Sequence, residues 1–181
     1  EAAGHGGGRS GRGGDLLYRW GNAANYGAGS ARDQHFFVLH GVNWIDEGLP
    51  GANNILVFNN GDRSGNQNDY SSVEEIVTPV EADGNYTLEA GDAYDPVEPL
   101  WSYSDPNDFY SNHLAGAFRL PNGNTLAIEA TSAHLIEVNA AGEVVWEFTH
   151  RAEGGGGGRM VNVTKAQRYG YDHPGVARLR D

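Results

Sequence analysis

Residues 113–148 divide into four short runs, HLAGAFRL, NTLAIEA, HLIEV and EVVWEF, separated by PNG, TSA and NAAG. Apolar runs of this length, alternating or continuous and bounded by Gly, Asn and Pro, predict β-strands joined by hairpin turns. The stretch before them divides in the same way, into HGVNWI, NILVFNN, SSVEEIVTPV and VEPLWSY, with a turn DEGLPGAN and a longer polar loop GDRSGNQNDY. One phrase recurs: GDLLYRW at 14–20, VEPLWSY at 97–103 and GEVVWEF at 142–148 each place two aromatics on one face of an alternating run. The last two copies are 45 residues apart from Tyr103 to Phe148, the period of a four-stranded propeller blade.

This pattern predicts an all-β chain, a β-propeller of four-stranded antiparallel blades, with about two and a half blades present. Residues 1–21 read as a Gly-rich entry loop and the last strand of a preceding blade. Residues 22–104 read as a blade carrying an insertion at 81–96, residues 105–150 as a complete blade, and 151–181 as a Gly-rich linker with a C-terminal strand and tail. The insertion accounts for the 83 residues between Trp20 and Tyr103. Because propellers close with about 4–8 blades, the chain is expected to be part of a longer protein, associating with the remaining blades or with another copy of itself.

Composition narrows the function. Lys and Arg number 12 against 24 Asp and Glu, a net charge of -12. That balance argues against a nucleic-acid partner, because phosphate contacts need clustered cations. No apolar run approaches the roughly 20 residues of a spanning helix. Cysteine is absent, which removes disulfides, thiolate metal sites and thiol nucleophiles. The oxygen-rich set Asn59, Asn60, Asp62, Asn66, Asn68 and Asp69 lacks EF-hand spacing and reads as a hydrogen-bonded turn, so no metal or cofactor is expected.

If the strands of a blade alternate in direction from the channel outward, the start of the first strand and the loop between the second and third share one rim. His40 and His113 stand at the starts of two first strands, and Arg63 and His134 follow two second strands. Imidazoles near neutral pH and a forked guanidinium suit an anionic substrate. A lone His at a strand end is ordinarily a surface or packing residue, and His35, His150 and His173, outside this set, read as structural.

The motifs GGDLLYRWGN, DQHFFVLHGVNWI, PGANNILVFNNG, YSSVEEI, FYSNHLAGAFRLPNGNTL, IEVNAAGEVVWEF and RYGYDHPG together resemble the bacterial arylsulfotransferase family, in order and across nearly the whole chain. The resemblance implies a six-bladed exported propeller, extracellular or periplasmic, that moves a sulfuryl group from an aryl sulfate to a phenol without a nucleotide donor. His40, in LHGVNWI, matches the family's His before an apolar-aromatic strand, with Leu39 where Gln is usual. Arg63 follows FNNG as the family's active-site Arg does, and Asn60 of that loop joins it as a substrate contact.

His134, in TSAHLIEV, occupies the loop expected to hold the nucleophile, with His113 a second choice. A further family His belongs to an earlier blade outside this chain. The chemistry implied is double displacement: His134 attacks sulfur to give a sulfohistidine, Arg63 holds the sulfuryl oxygens, and His40 exchanges the proton of the phenols. The alternative is a non-catalytic extracellular propeller acting as a binding or assembly module.

Overall fold

A computed structural model describes residues 6–7, 10–61, 70–151 and 162–179. The chain divides into two compact units, one made of the residues up to Phe36 with Val77–Pro99, the other of Phe37–Ile76 with the residues from Leu100 onward.

The second unit holds the sheets. β1 (Leu39–Trp44), β2 (Ile55–Asn59), β3 (Ser72–Ile76) and β4 (Trp101–Ser104) form one antiparallel sheet in that order. β5 (Gly116–Arg119), β6 (Thr125–Glu129), β7 (His134–Val138) and β8 (Val144–Thr149) form the other. Each expected strand of the two long runs is present, and both sheets are meanders of neighbours in sequence, as hairpin connections dictate. Helix is confined, among the described residues, to two 3-10 turns and the four residues of α1 (Pro174–Ala177).

The inner strands explain their continuous apolar spelling. All five residues of β6 are buried and four of five in β2, so both faces are covered and the alternation expected of a half-exposed strand is absent. Phe58, Leu56, Val73, Ala117, Ala127 and Ile136 join one core drawn from both sheets. Burying a side chain such as Phe58 contributes about 1.5–3 kcal/mol. Outer strand β8 is exposed along its whole length.

The first strands of the two sheets meet. A bulge between His40 and Asn43 shifts the β1 register and places Gly41 at φ +62°. A Cβ there would stand 2.8 Å from the Gly116 Cα, so only glycine admits both the left-handed backbone and the close approach of β5. Asn43 Nδ2 then donates to the Ala117 carbonyl at 3.0 Å, tying β1 to β5.

Two expectations change. Residues 14–20 form no strand. Their alternating aromatics serve side-chain contacts within the first unit: Tyr18 stacks on Tyr86 with ring centroids 4.9 Å apart, and its hydroxyl donates to the Asp95 carbonyl at 2.7 Å. Trp20 Nε1 donates to the Pro96 carbonyl and the indole packs edge-on to Phe36 at 4.9 Å. Period two marked ring placement there, with no ladder partner to make it a strand. Likewise the described part of the closing segment, 162–179, contains no strand and ends in α1, capped by His173 Nδ1 accepting from the Gly175 N–H at 3.1 Å.

Candidate functional site

One end of both sheets gathers the polar side chains. The start of β1, the end of β2 and the start of β3 lie together in register, Leu39 beside Asn59 and Asn59 beside Ser72. In the second sheet Gly116 faces Ile128, and Glu129 faces His134.

Asn60, just past β2, is fully buried. Its Nδ2 donates to the Ser111 carbonyl at 2.6 Å and to the Leu114 carbonyl at 2.9 Å. Its Oδ1 lies 2.6 Å from His40 Nδ1. The Leu114 N–H donates to His40 Nε2 at 3.3 Å, which requires a lone pair on Nε2 and therefore puts the His40 proton on Nδ1, directed at Asn60. Both ring nitrogens are thus engaged. The segment so clamped is bent: Leu114 and Ala115 have φ of 57° and 149°, conformations that cost non-glycine residues of order 1–3 kcal/mol and persist only where neighbours over-determine them. Asn60 is one such neighbour and acts as a clamp, a buried amide with both N–H bonds committed to backbone carbonyls.

Ser111, also buried, continues the network. Its N–H donates to Ser71 Oγ at 3.0 Å, its Oγ faces the His113 carbonyl at 3.1 Å, and it lies 3.3 Å from Thr131 Oγ1. The next residue back, Tyr110, donates its N–H to Glu129 Oε1 at 2.6 Å. Glu129 is 3% exposed, and its other oxygen is hydrogen-bonded to His134 Nδ1. Burial pushes the Glu129 carboxyl above its ordinary value, while the hydrogen bonds from His134 and Tyr110 pull it down. On the far side of the ring, His134 Nε2 lies 3.3 Å from Glu147 Oε2. The Glu147 side chain is 72% exposed, so this second partner sits in water.

His40 and His134 therefore stand at opposite ends of one hydrogen-bonded web that crosses the 110–115 segment. His113 lies on that segment, and among the described residues its exposed ring bonds to the neighbouring Asn112 side chain. In register, the counterpart of His40 is Gly116, since they face Phe58 and Ile128 in turn; His113 precedes β5. Arg63 lies outside the described residues, as do Asp62, Asn66, Asn68 and Asp69. Among the described residues no cluster of three or more His, Asp or Glu could hold a metal ion, and no helix is long and apolar enough to cross a membrane.

Sequence reasoning passed over Glu129, Ser111 and Thr131. A signal for Glu129 existed: a lone acid in the apolar run TLAIEA, five residues before a His. Comparison with family models, with curated proteins and with solved structures finds no match to this chain.

Proposed function

We propose that the two sheets are consecutive blades of a β-propeller and that the protein transfers sulfuryl groups from an aryl sulfate to a phenol, with His134 as nucleophile. The observation that carries the chemistry is the pairing of His134 Nδ1 with buried Glu129, which leaves Nε2 on the side where, among the described residues, the exposed Glu147 carboxylate faces it. A carboxylate on Nδ1 holds the proton there, orients the ring and raises the basicity of Nε2, as orienting acids do for nucleophilic and ligating imidazoles.

In the first half-reaction the Nε2 lone pair forms an N–S bond as the aryl C–O–S linkage breaks at S–O, and the leaving phenolate takes a proton. In the second, a phenol oxygen attacks sulfur, its proton departs, and the imidazole is released. Neither half needs a cofactor. The ring nitrogens of His40 are committed to Asn60 and Leu114, so the proton is handled by the exposed His113 and by solvent, with His40 positioning the segment that carries it. Arg63 is assigned the sulfuryl oxygens. The propeller reading is supported by the meeting of first strands β1 and β5, since first strands line the channel of that architecture. An extracellular or periplasmic location goes with this reading.

The test is intact mass of the protein isolated from its source, before and after brief incubation with an aryl sulfate at non-acidic pH. A gain of one sulfo group, discharged by a phenol and missing from His134→Ala, is the expected result. Glu129→Gln should slow adduct formation by about 10–100-fold. No adduct on a folded protein, or an adduct that survives His134→Ala, overturns the assignment. One observation favours a second reading as a non-catalytic binding or assembly module: Asn60, Ser111 and His40 direct their polar atoms to the protein's own backbone.

A further inference from the structure

At the end of the sheets away from His40 the same four-residue constellation occurs twice. In the first sheet Asn54 Nδ2 donates to Glu75 Oε1 at 2.6 Å, and Arg119 donates to Glu75 Oε2. Trp101 lies opposite Glu75 in the β3–β4 ladder, and the Arg119 guanidinium lies 5.7 Å from its ring. In the second sheet Asn124 Nδ2 donates to Glu137 Oε1 at 2.7 Å, and Arg168 donates to Glu137 Oε2. Trp146 lies opposite Glu137, and the Arg168 guanidinium lies 4.8 Å from its ring. The register agrees as well, because Glu75 faces Leu56 and Glu137 faces Leu126, each two residues past its Asn.

The source of the arginine is what matters. For the first sheet it is the last residue of β5, the first strand of the sheet that follows. For the second sheet it comes from residues 162–169. Two further contacts put that segment in an equivalent seat. Val163 and Ala166 pack on the core of Leu120, Leu126, Ile128 and Leu135, and the Val163 N–H donates to the Ala130 carbonyl at 3.1 Å. A cavity of about 190 Å³ is lined by residues 43–46 of β1 and its turn, 118–121 of β5 and its turn, and 167–169. Three segments, one from each successive position along the chain, meet at one cavity.

We propose that residues 162–169, although not paired as a strand, take on the second sheet the seat that β5 takes on the first and open a third structural repeat, and that a buried glutamate receiving an arginine from the following repeat is the lock by which each repeat holds the next. Both glutamate side chains are 5% exposed. A carboxylate so buried is tolerable only with a cation and further donors at hand, and the Asn and Arg supply them. The indole of the outer strand adds a cation–π contact to the guanidinium. The lock runs one way along the chain: the sheet supplies Glu, Asn and Trp, and its successor supplies Arg. The inference does not rest on the chemistry at His134, and the two tests have separate readouts.

Amide hydrogen exchange on the whole protein tests it. Arg168→Gln and Glu137→Gln should each raise exchange in peptides covering 162–169 by about tenfold or more, the effect of losing a charge-assisted hydrogen bond, while amides of the β6–β7 ladder keep their protection. The double variant should exchange no faster than either single one, and Arg168→Lys should restore protection only in part. Should Glu137→Gln fail to fold, Arg168→Gln reads the lock alone, since that side chain is 44% exposed. Unchanged exchange at 162–169 in Arg168→Gln, or effects of the two single variants that simply add, overturns the proposal.

Discussion

The two sheets agree at one end and differ at the other. Where β2 and β6 begin, Asn54 and Asn124 meet Glu75 and Glu137 in matching geometry. Where those strands end, the register partners diverge: Asn59 and Asn60 follow Phe58, whereas Glu129 and Ala130 follow Ile128. The connections diverge too. Between β3 and β4 the chain leaves for residues 77–100, while β7 and β8 are joined by one short turn, Asn-Ala-Ala-Gly, in which Asn139 Oδ1 accepts the N–H groups of Ala141 and Glu143 at 2.9 Å. At the first end each sheet carries a buried carboxylate satisfied by an Asn and an Arg. At the second end each sheet has its own set, Asn60 with His40 in one and Glu129 with His134 in the other.

The largest break in this comparison should come from the shared core. Phe58 and Ile128 are register equivalents and both are fully buried, but Phe58 belongs to the cluster that includes residues of both sheets and packs on Phe109 with ring centroids 5.3 Å apart. Phe58→Ala should cost about 3–5 kcal/mol, and denaturant unfolding followed by amide exchange should show β5 and β6 losing protection along with β2. If only the first sheet loosens, the sheets are energetically separate.

Next in size is the divergent end. Asn60→Ala removes two donors from the Ser111 and Leu114 carbonyls and the acceptor of His40. A cost of about 2 kcal/mol or more is expected from the buried groups left unmatched, read as a fall in denaturant midpoint at unchanged slope. A cost within about 0.5 kcal/mol would show that water replaces the amide and that the bend at Leu114 holds itself.

The smallest effect is a pH dependence in the carboxylate range, expected from Glu129 at the divergent end of the second sheet. Burial raises the Glu129 carboxyl, so the folded chain holds that proton at pH values where the unfolded chain has released it. Stability therefore falls as pH rises from the ordinary carboxylate range, near about 4.3, through the raised folded value, and is greatest below both. Glu129→Gln cannot release a proton, and its melting temperature plotted against pH should lack that component of the fall. Parallel curves for the two proteins would mean that His134 and the Tyr110 N–H compensate the burial.

The sheets were legible because their strands are spelled in local terms. NILVFNN and NTLAIEA are too apolar and too short for anything but inner strands, and PNG and NAAG close hairpins wherever they stand between such runs. GDLLYRW was misread as a strand because alternating aromatics have two uses, and only the insertion at 81–96, far away in sequence, decided between them. His40 and His134 stand out in the sequence by residue type and strand position, but their partners do not. His40 meets a backbone N–H from Leu114, and His134 meets a Glu that strand pairing delivers across the β6–β7 hairpin. Arg119 and Arg168 were unreadable as a pair, since their partners lie 44 and 31 residues upstream and share no spacing.

Asn60 has one more consequence, for how the protein ages. It is followed by Gly61, and a residue without a side chain leaves its backbone nitrogen open to attack on the preceding carboxamide. In the fold that reaction is blocked: both residues are buried, the Asn60 amide is committed to two carbonyls, and the Gly61 N–H points to Asn59 Oδ1 at 3.2 Å. Heat that opens this corner puts an Asn–Gly peptide into water, and each carboxamide hydrolysed there becomes a carboxylate that cannot donate to Ser111 or Leu114. Thermal unfolding thus acquires a chemical ratchet, with recovery on cooling decreasing as the time spent hot increases.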